Sequence, residues 1–112
     1  MRPLQLRKLI LAALKDAKAR DIVVLDMRKI VVFTDYMIIV TGTSNRHVVA
    51  VADNVMDDLR DAGRRRSGVE GMESGDWVLI DFGDVVVHVM RAQTRDFYGL
   101  EKLWSEAKQI KP

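Results

Sequence analysis

An α+β fold is predicted: one domain spanning residues 1–112, with helices flanking a mixed β-sheet of about five strands. Three observations predict it. The chain has 112 residues, the length of a single domain. Segments with the helical period of 3.6 alternate with short β-branched runs. No internal repeat, low-complexity stretch or Pro/Gly-rich linker interrupts them.

The elements follow in order. Leu6, Leu9, Ile10, Ala13, Leu14 and Ala17 recur at helical spacing, and Pro3 suits the first turn of that helix. Ile22 to Leu25 reads as a buried strand, Ile30 to Phe33 as a weaker second strand, and Met37 to Thr41 as a third. Gly42-Thr43-Ser44 breaks the chain and offers hydroxyl caps to a helix carrying Val48, Val51, Ala52, Val55 and Leu59, which Gly63 closes. After the basic connector Arg64-Arg65-Arg66-Ser67-Gly68, Val69 leads through Glu70-Gly71 to a turn at Ser74-Gly75. Trp77 to Phe82 and Val85 to Met90 then form a hairpin around Gly83-Asp84, where a leading glycine fits a type II′ turn. Leu100, Leu103, Trp104 and Ala107 mark a closing helix.

Composition narrows the chemistry. There are no cysteines and two histidines, so disulfides, thiol nucleophiles and thiolate zinc sites are excluded. No apolar run reaches the roughly 18 residues of a membrane span, and the basic start lacks the continuous apolar core of a secretory signal, so a cytoplasmic protein is expected. The net charge of +2 conceals two opposed fields. Residues 1–20 carry Arg2, Arg7, Lys8, Lys15, Lys18 and Arg20 against Asp16 alone, whereas residues 67–90 carry Glu70, Glu73, Asp76, Asp81 and Asp84 with no cation.

The hairpin register puts Val78, Ile80, Phe82, Val85, Val87 and Val89 on one apolar face. The other face holds Trp77, Leu79, Asp81, Val86, His88 and Met90. Such a mixture is not a solvent face; either a helix covers it, with His88 bonded in the core, or a partner protein does. Trp77, Tyr98 and Trp104 are candidate interface anchors, although the helical spacing of Trp104 favours a core position.

Catalytic candidates are weak. Thr41 to Arg46 lies at a strand-to-helix turn where Ser44, Arg46 and free backbone N–H groups could hold an anion, but the glycine spacing of a phosphate loop is missing. Asp81-Phe82-Gly83 matches the kinase metal-binding tripeptide without any accompanying catalytic loop. A nucleotidyltransferase would need closely spaced strand carboxylates for metal ions, and no D-x-D occurs. His47 and His88 stand apart, so neither a metal nor a cofactor is expected. Arg64, Arg65 and Arg66, with the basic first helix, could touch RNA phosphates.

Four ordered blocks carry a family resemblance. They are Phe33-Thr34-Asp35-Tyr36-Met37-Ile38-Ile39-Val40-Thr41-Gly42-Thr43-Ser44-Asn45-Arg46-His47-Val48, then Val69-Glu70-Gly71, then Asp76 through His88, then Arg95-Asp96-Phe97-Tyr98-Gly99-Leu100-Glu101-Lys102-Leu103-Trp104. Together they resemble the ribosomal silencing factor family RsfS, also called Iojap, over nearly the whole chain. The start at Met1 is similar to bacterial members more than to organellar ones.

The resemblance implies a nucleotidyltransferase-like fold without catalytic apparatus. It also implies binding to the fourteenth protein of the large ribosomal subunit, which blocks joining of the small subunit and damps translation when nutrients are scarce. A homodimer off the ribosome and a peripheral contact with ribosomal RNA belong to the same expectation. His47 and Asn45 depart from the glutamine and serine commoner in the family's segment. The expected partner-binding residues are Trp77, Leu79, Asp81 and His88 of the hairpin with Tyr98 and Glu101. The runner-up is a nucleotide-binding or nucleotidyltransferase-type enzyme using the Gly42 to Arg46 turn.

Overall fold

A computed structural model describes residues 1–112. Its elements are α1 (Pro3–Asp16), β1 (Arg20–Asp26), β2 (Tyr36–Gly42), α2 (Asn45–Asp61), β3 (Gly68–Glu70), β4 (Trp77–Asp81), β5 (Val85–Arg91), α3 (Ala92–Tyr98), α4 (Leu100–Leu103) and β6 (Lys108–Ile110). One mixed sheet runs β3-β4-β5-β2-β1-β6, with β2 and β5 parallel at its centre and every other pair antiparallel. All seven residues of β2 are buried, as expected of a strand covered on both faces.

Helices α1 and α2 lie side by side on one face. Leu6, Ile10 and Leu14 of α1 and Val48, Val51, Val55 and Leu59 of α2 meet the fully buried Val78, Ile80, Phe82, Val85, Val87 and Val89 in the main core. The predicted register is therefore the observed one, with Val78 opposite Val89 and Ile80 opposite Val87. Asn54 of α2 donates from Nδ2 to the Ala13 carbonyl at 2.9 Å, joining the two helices. Leu9, expected in the α1 stripe, is exposed because it lies beside the stripe that Leu6, Ile10, Ala13 and Leu14 define.

A smaller core covers the opposite face, where Leu25, Met27, Met37, Ile39 and Met90 pack with Leu100 and Ala107. At the hairpin tip Gly83 has φ +83°, and the Asp84 N–H donates to the Phe82 carbonyl at 3.1 Å. That three-residue bond makes the tip a γ-turn centred on Gly83, tighter than the type II′ turn expected.

The sheet has six strands instead of about five, and three local expectations change. Ile30 to Phe33 is not a strand: the N–H groups of Ile30 and Val31 fold back onto the Met27 carbonyl, and Val32 and Phe33 are exposed. The edge of β1 that such a strand would need is occupied by β6, which pairs Val24 with Ile110 and Asp26 with Lys108. The closing helix stops after four residues, leaving Leu103 exposed and Trp104 half-buried. The connector after α2 also contributes β3, with Val69 opposite Ile80.

Candidate docking surface

The second face of the hairpin resolves into two parts. Met90 and His88 are buried, whereas Trp77, Leu79, Asp81 and Val86 stay half-buried. The cover is the C-terminal segment through Leu100 and Ala107, and it reaches only part of the way across this face.

Trp77 is the centre. Its Nε1–H donates to His88 Nδ1 at 3.0 Å. The Tyr98 ring tilts against the indole at 4.8 Å, and Phe97 meets Tyr98 edge-on at 5.0 Å. Phe97 and Tyr98 are 81% and 54% exposed, too open for rings whose only role is core packing. Beside them Trp77 and Leu79 line a cavity of about 350 Å³ with Glu70 and Gly71. Gly71 holds φ +92°, and a Cβ there would stand 1.9 Å from the Trp77 carbonyl. Only glycine lets the β3–β4 connection press this closely on the Trp77 backbone.

His88 is locked in its neutral form. Burial alone pushes its pKa down to about 4. Because Nδ1 accepts from Trp77, the proton sits on Nε2, which is buried without a partner. His88 therefore positions the indole from below. Asp81 is half-buried, and its Oδ1 accepts the Gly83 N–H at 2.7 Å.

Glu101 has an intramolecular role. It pairs with Arg95 at 3.0 Å, and Arg95 also donates to the Asp21 carbonyl at 2.7 Å and the Thr41 hydroxyl at 2.8 Å. The Arg95 side chain is 10% exposed. It fastens α3 and α4 to the sheet and thereby holds Tyr98 over Trp77. Residue type and spacing do not single out Arg95, Phe97 or Gly71, although all three lie in the blocks that carry the family resemblance.

The strand-to-helix turn at Gly42 to Arg46 is bonded internally. Ser44 Oγ accepts the His47 N–H at 3.0 Å, and His47 Nδ1 accepts the Thr43 N–H at 2.9 Å. The other imidazole nitrogen then donates to the Ala17 carbonyl at 2.9 Å. Two N–H groups that an anion would use are thus taken, and Arg46 is exposed. Arg64 is also engaged, donating to the Phe82 carbonyl at the hairpin tip. Arg65 and Arg66 are exposed and make no ion pair. The structure does not gather these five residues into one site.

A half-buried tryptophan, two exposed aromatic rings and an acidic strand edge on an α+β domain are the features by which protein-docking surfaces are recognised. The comparisons name the family. The model described as "Ribosomal silencing factor during starvation" matches residues 2–112. Ribosomal silencing factor RsfS of Chromobacterium violaceum is 48% identical, over 93% of this chain and 85% of its own. RsfS of Haemophilus influenzae is 43% identical, over 86% of this chain and 94% of its own. A crystal structure of a Chromobacterium violaceum protein superposes with a TM-score of 0.92 at 46% identity, covering 100% of this chain and 91% of that one. The chain belongs to the RsfS family, also known as Iojap. Its relatives are named as regulatory factors, which removes the enzymatic reading of the Gly42 to Arg46 turn. No helix is long and apolar enough to cross a membrane.

Proposed function

We propose that this chain, acting as one domain over residues 1–112, represses translation by binding the large ribosomal subunit through its fourteenth protein. Seated there, it blocks joining of the small subunit. The observation that supports this reading is the tilted Trp77–Tyr98 ring contact at 4.8 Å, set beside the exposed carboxylates of Glu70, Glu73 and Asp76. Ribosomal proteins bound to RNA are typically basic, and an acidic rim around an aromatic anchor complements them in charge while the rings supply the buried area. Trp77, Leu79, Asp81 and Tyr98 make the contact; His88 and Glu101 hold it in shape. Arg65 and Arg66 make a peripheral contact with ribosomal RNA, the protein pairs with itself off the ribosome, and it works in the cytoplasm.

Co-sedimentation with purified large subunits tests the surface, and light scattering of mixed subunits tests the block. Wild-type protein lowers the scattering that reports association. A folded Trp77→Ala, Asp81→Lys double variant neither co-sediments nor lowers it. Undiminished binding by that variant overturns the assignment.

A further inference from the structure

Asp76 and Arg91 stand opposite one another, one step beyond the Trp77–Met90 pair of the β4–β5 ladder, and the Arg91 N–H donates to the Asp76 carbonyl at 3.0 Å. Opposed side chains of an antiparallel pair share a face with their Cβ atoms about 5 Å apart, so a carboxylate and a guanidinium in this relation attract one another. Here they do not join: Arg91 forms no ion pair. The side-chain amide of Asn45, the first residue of α2, stands between them.

That amide is committed on both sides. Its Oδ1 accepts from Arg91 Nη1 at 2.9 Å, while its Nδ2 donates to Asp76 Oδ1 at 2.9 Å and to the Ser74 carbonyl at 2.7 Å. Only one orientation of the amide satisfies these partners, because a guanidinium only donates and a carboxylate only accepts. The backbone fixes the place as well. A Cβ on Gly75 would stand 2.6 Å from the Asn45 carbonyl oxygen, so the turn from Ser74 to Asp76 lies directly on the start of α2. Half-buried Arg91 is thus tied to a neutral group, and Asp76, the residue before Trp77, stays exposed with its charge uncompensated.

We propose that Asn45 is a positioning residue of the docking surface: it holds Arg91 away from Asp76, so that the Asp76 carboxylate is free to pair with a cation of a basic protein partner. This role rests on the docking reading and adds to it a residue that touches no partner. Without the amide, Arg91 closes on Asp76 across the ladder, and the carboxylate is spent inside the molecule. The net charge of the chain does not change, so the loss is one of a contact and not of the long-range field. A residue that merely fastened the turn would lower stability and leave the worth of Asp76 to the partner as it was.

A double-mutant cycle on the affinity of the full chain for purified large subunits tests it. In the wild-type background Asp76→Asn weakens binding about fivefold, the worth of one exposed ion pair. In the Asn45→Ala background the same change has no effect, because Arg91 already holds the carboxylate. Adding Arg91→Gln to Asn45→Ala restores the sensitivity to Asp76→Asn, a rescue that a merely structural role would not give. Asn45→Asp keeps an acceptor for Arg91 and suits the first turn of a helix, so it retains the sensitivity and carries the test where the alanine variant does not fold. Asp76→Asn without effect in wild type, an undiminished loss in Asn45→Ala, or a lost sensitivity in Asn45→Asp overturns the proposal. The Trp77→Ala, Asp81→Lys variant is run alongside: if it binds undiminished, the docking reading fails and this role with it, whereas if it does not bind and the cycle is additive, this role alone fails.

Discussion

Trp77 and His88 form a donor–acceptor pair across the β4–β5 hairpin, 3.0 Å from indole Nε1 to imidazole Nδ1. The pair turns a half-buried ring into a fixed one. Trp77→Phe keeps an aromatic surface beneath Tyr98 and removes the donor. It lowers stability by about 1 kcal/mol, the net contribution of one hydrogen bond, as read from urea unfolding, and near-ultraviolet dichroism loses the ordered indole signal.

The same imidazole makes stability depend on pH. Its pKa is about 4 in the folded chain against 6.5 for the free side chain. Between those values the unfolded chain binds a proton that the folded chain refuses, so the contribution is complete above pH 6.5 and lost as pH falls towards 4. The integrated effect reaches about 3 kcal/mol. Unfolding free energies for wild type and His88→Gln, measured from about pH 7 to about pH 4.5, diverge only if this group carries the slope.

Arg95→Ala releases the C-terminal segment. The guanidinium loses Glu101, Thr41 and the Asp21 carbonyl together, at a cost of about 2 kcal/mol, moderated because Glu101 is partly exposed and can hydrate. Amide exchange in residues 92–103 rises while β2 and β5 stay protected, and exchange spreading equally into the sheet would refute a local latch.

Gly71→Ala acts through the backbone of Trp77. The new Cβ would fall 1.9 Å from the Trp77 carbonyl at φ +92°, so β3 and β4 separate. Backbone strain alone costs about 1–3 kcal/mol, and large-subunit binding falls with it. A crystal structure or thermal melt that matches wild type would contradict this account.

Val32→Ser and Phe33→Ser have little effect on stability. Both side chains are exposed, at 105% and 66%, so each change stays within about 0.5 kcal/mol. A strand at Ile30 to Phe33 with these side chains packed would lose several times as much, so thermal melts of the two variants separate the alternatives.

What could be read ahead of the structure follows from what each segment buries. The α2 stripe, the β2 run and the hairpin register announce themselves because alternate or every-fourth side chains enter one core. Helix α3 leaves no such trace, since none of its residues is buried. Strand β6 is three residues long with only Ile110 packed inward, too short for a period to show. Residue type and charge single out Trp77, Leu79 and Tyr98, and the fold brings Trp77 together with both of the others. Glu101, expected as a contact, also pairs with Arg95, because sequence spacing does not announce an ion pair between side chains six residues apart.

Between Ala92 and Leu103 only Leu100 enters a core. The part of the molecule that displays Phe97, Tyr98 and Leu103 is thus fastened chiefly by Arg95, Leu100 and the contact of Tyr98 with Trp77, and carries little of the energy that keeps the chain folded. Substitutions of the exposed Phe97, Tyr98 and Leu103 can rewrite the displayed surface while the melting temperature barely moves. A lineage whose partner drifts could follow it by changing this strip alone, on an unaltered chassis.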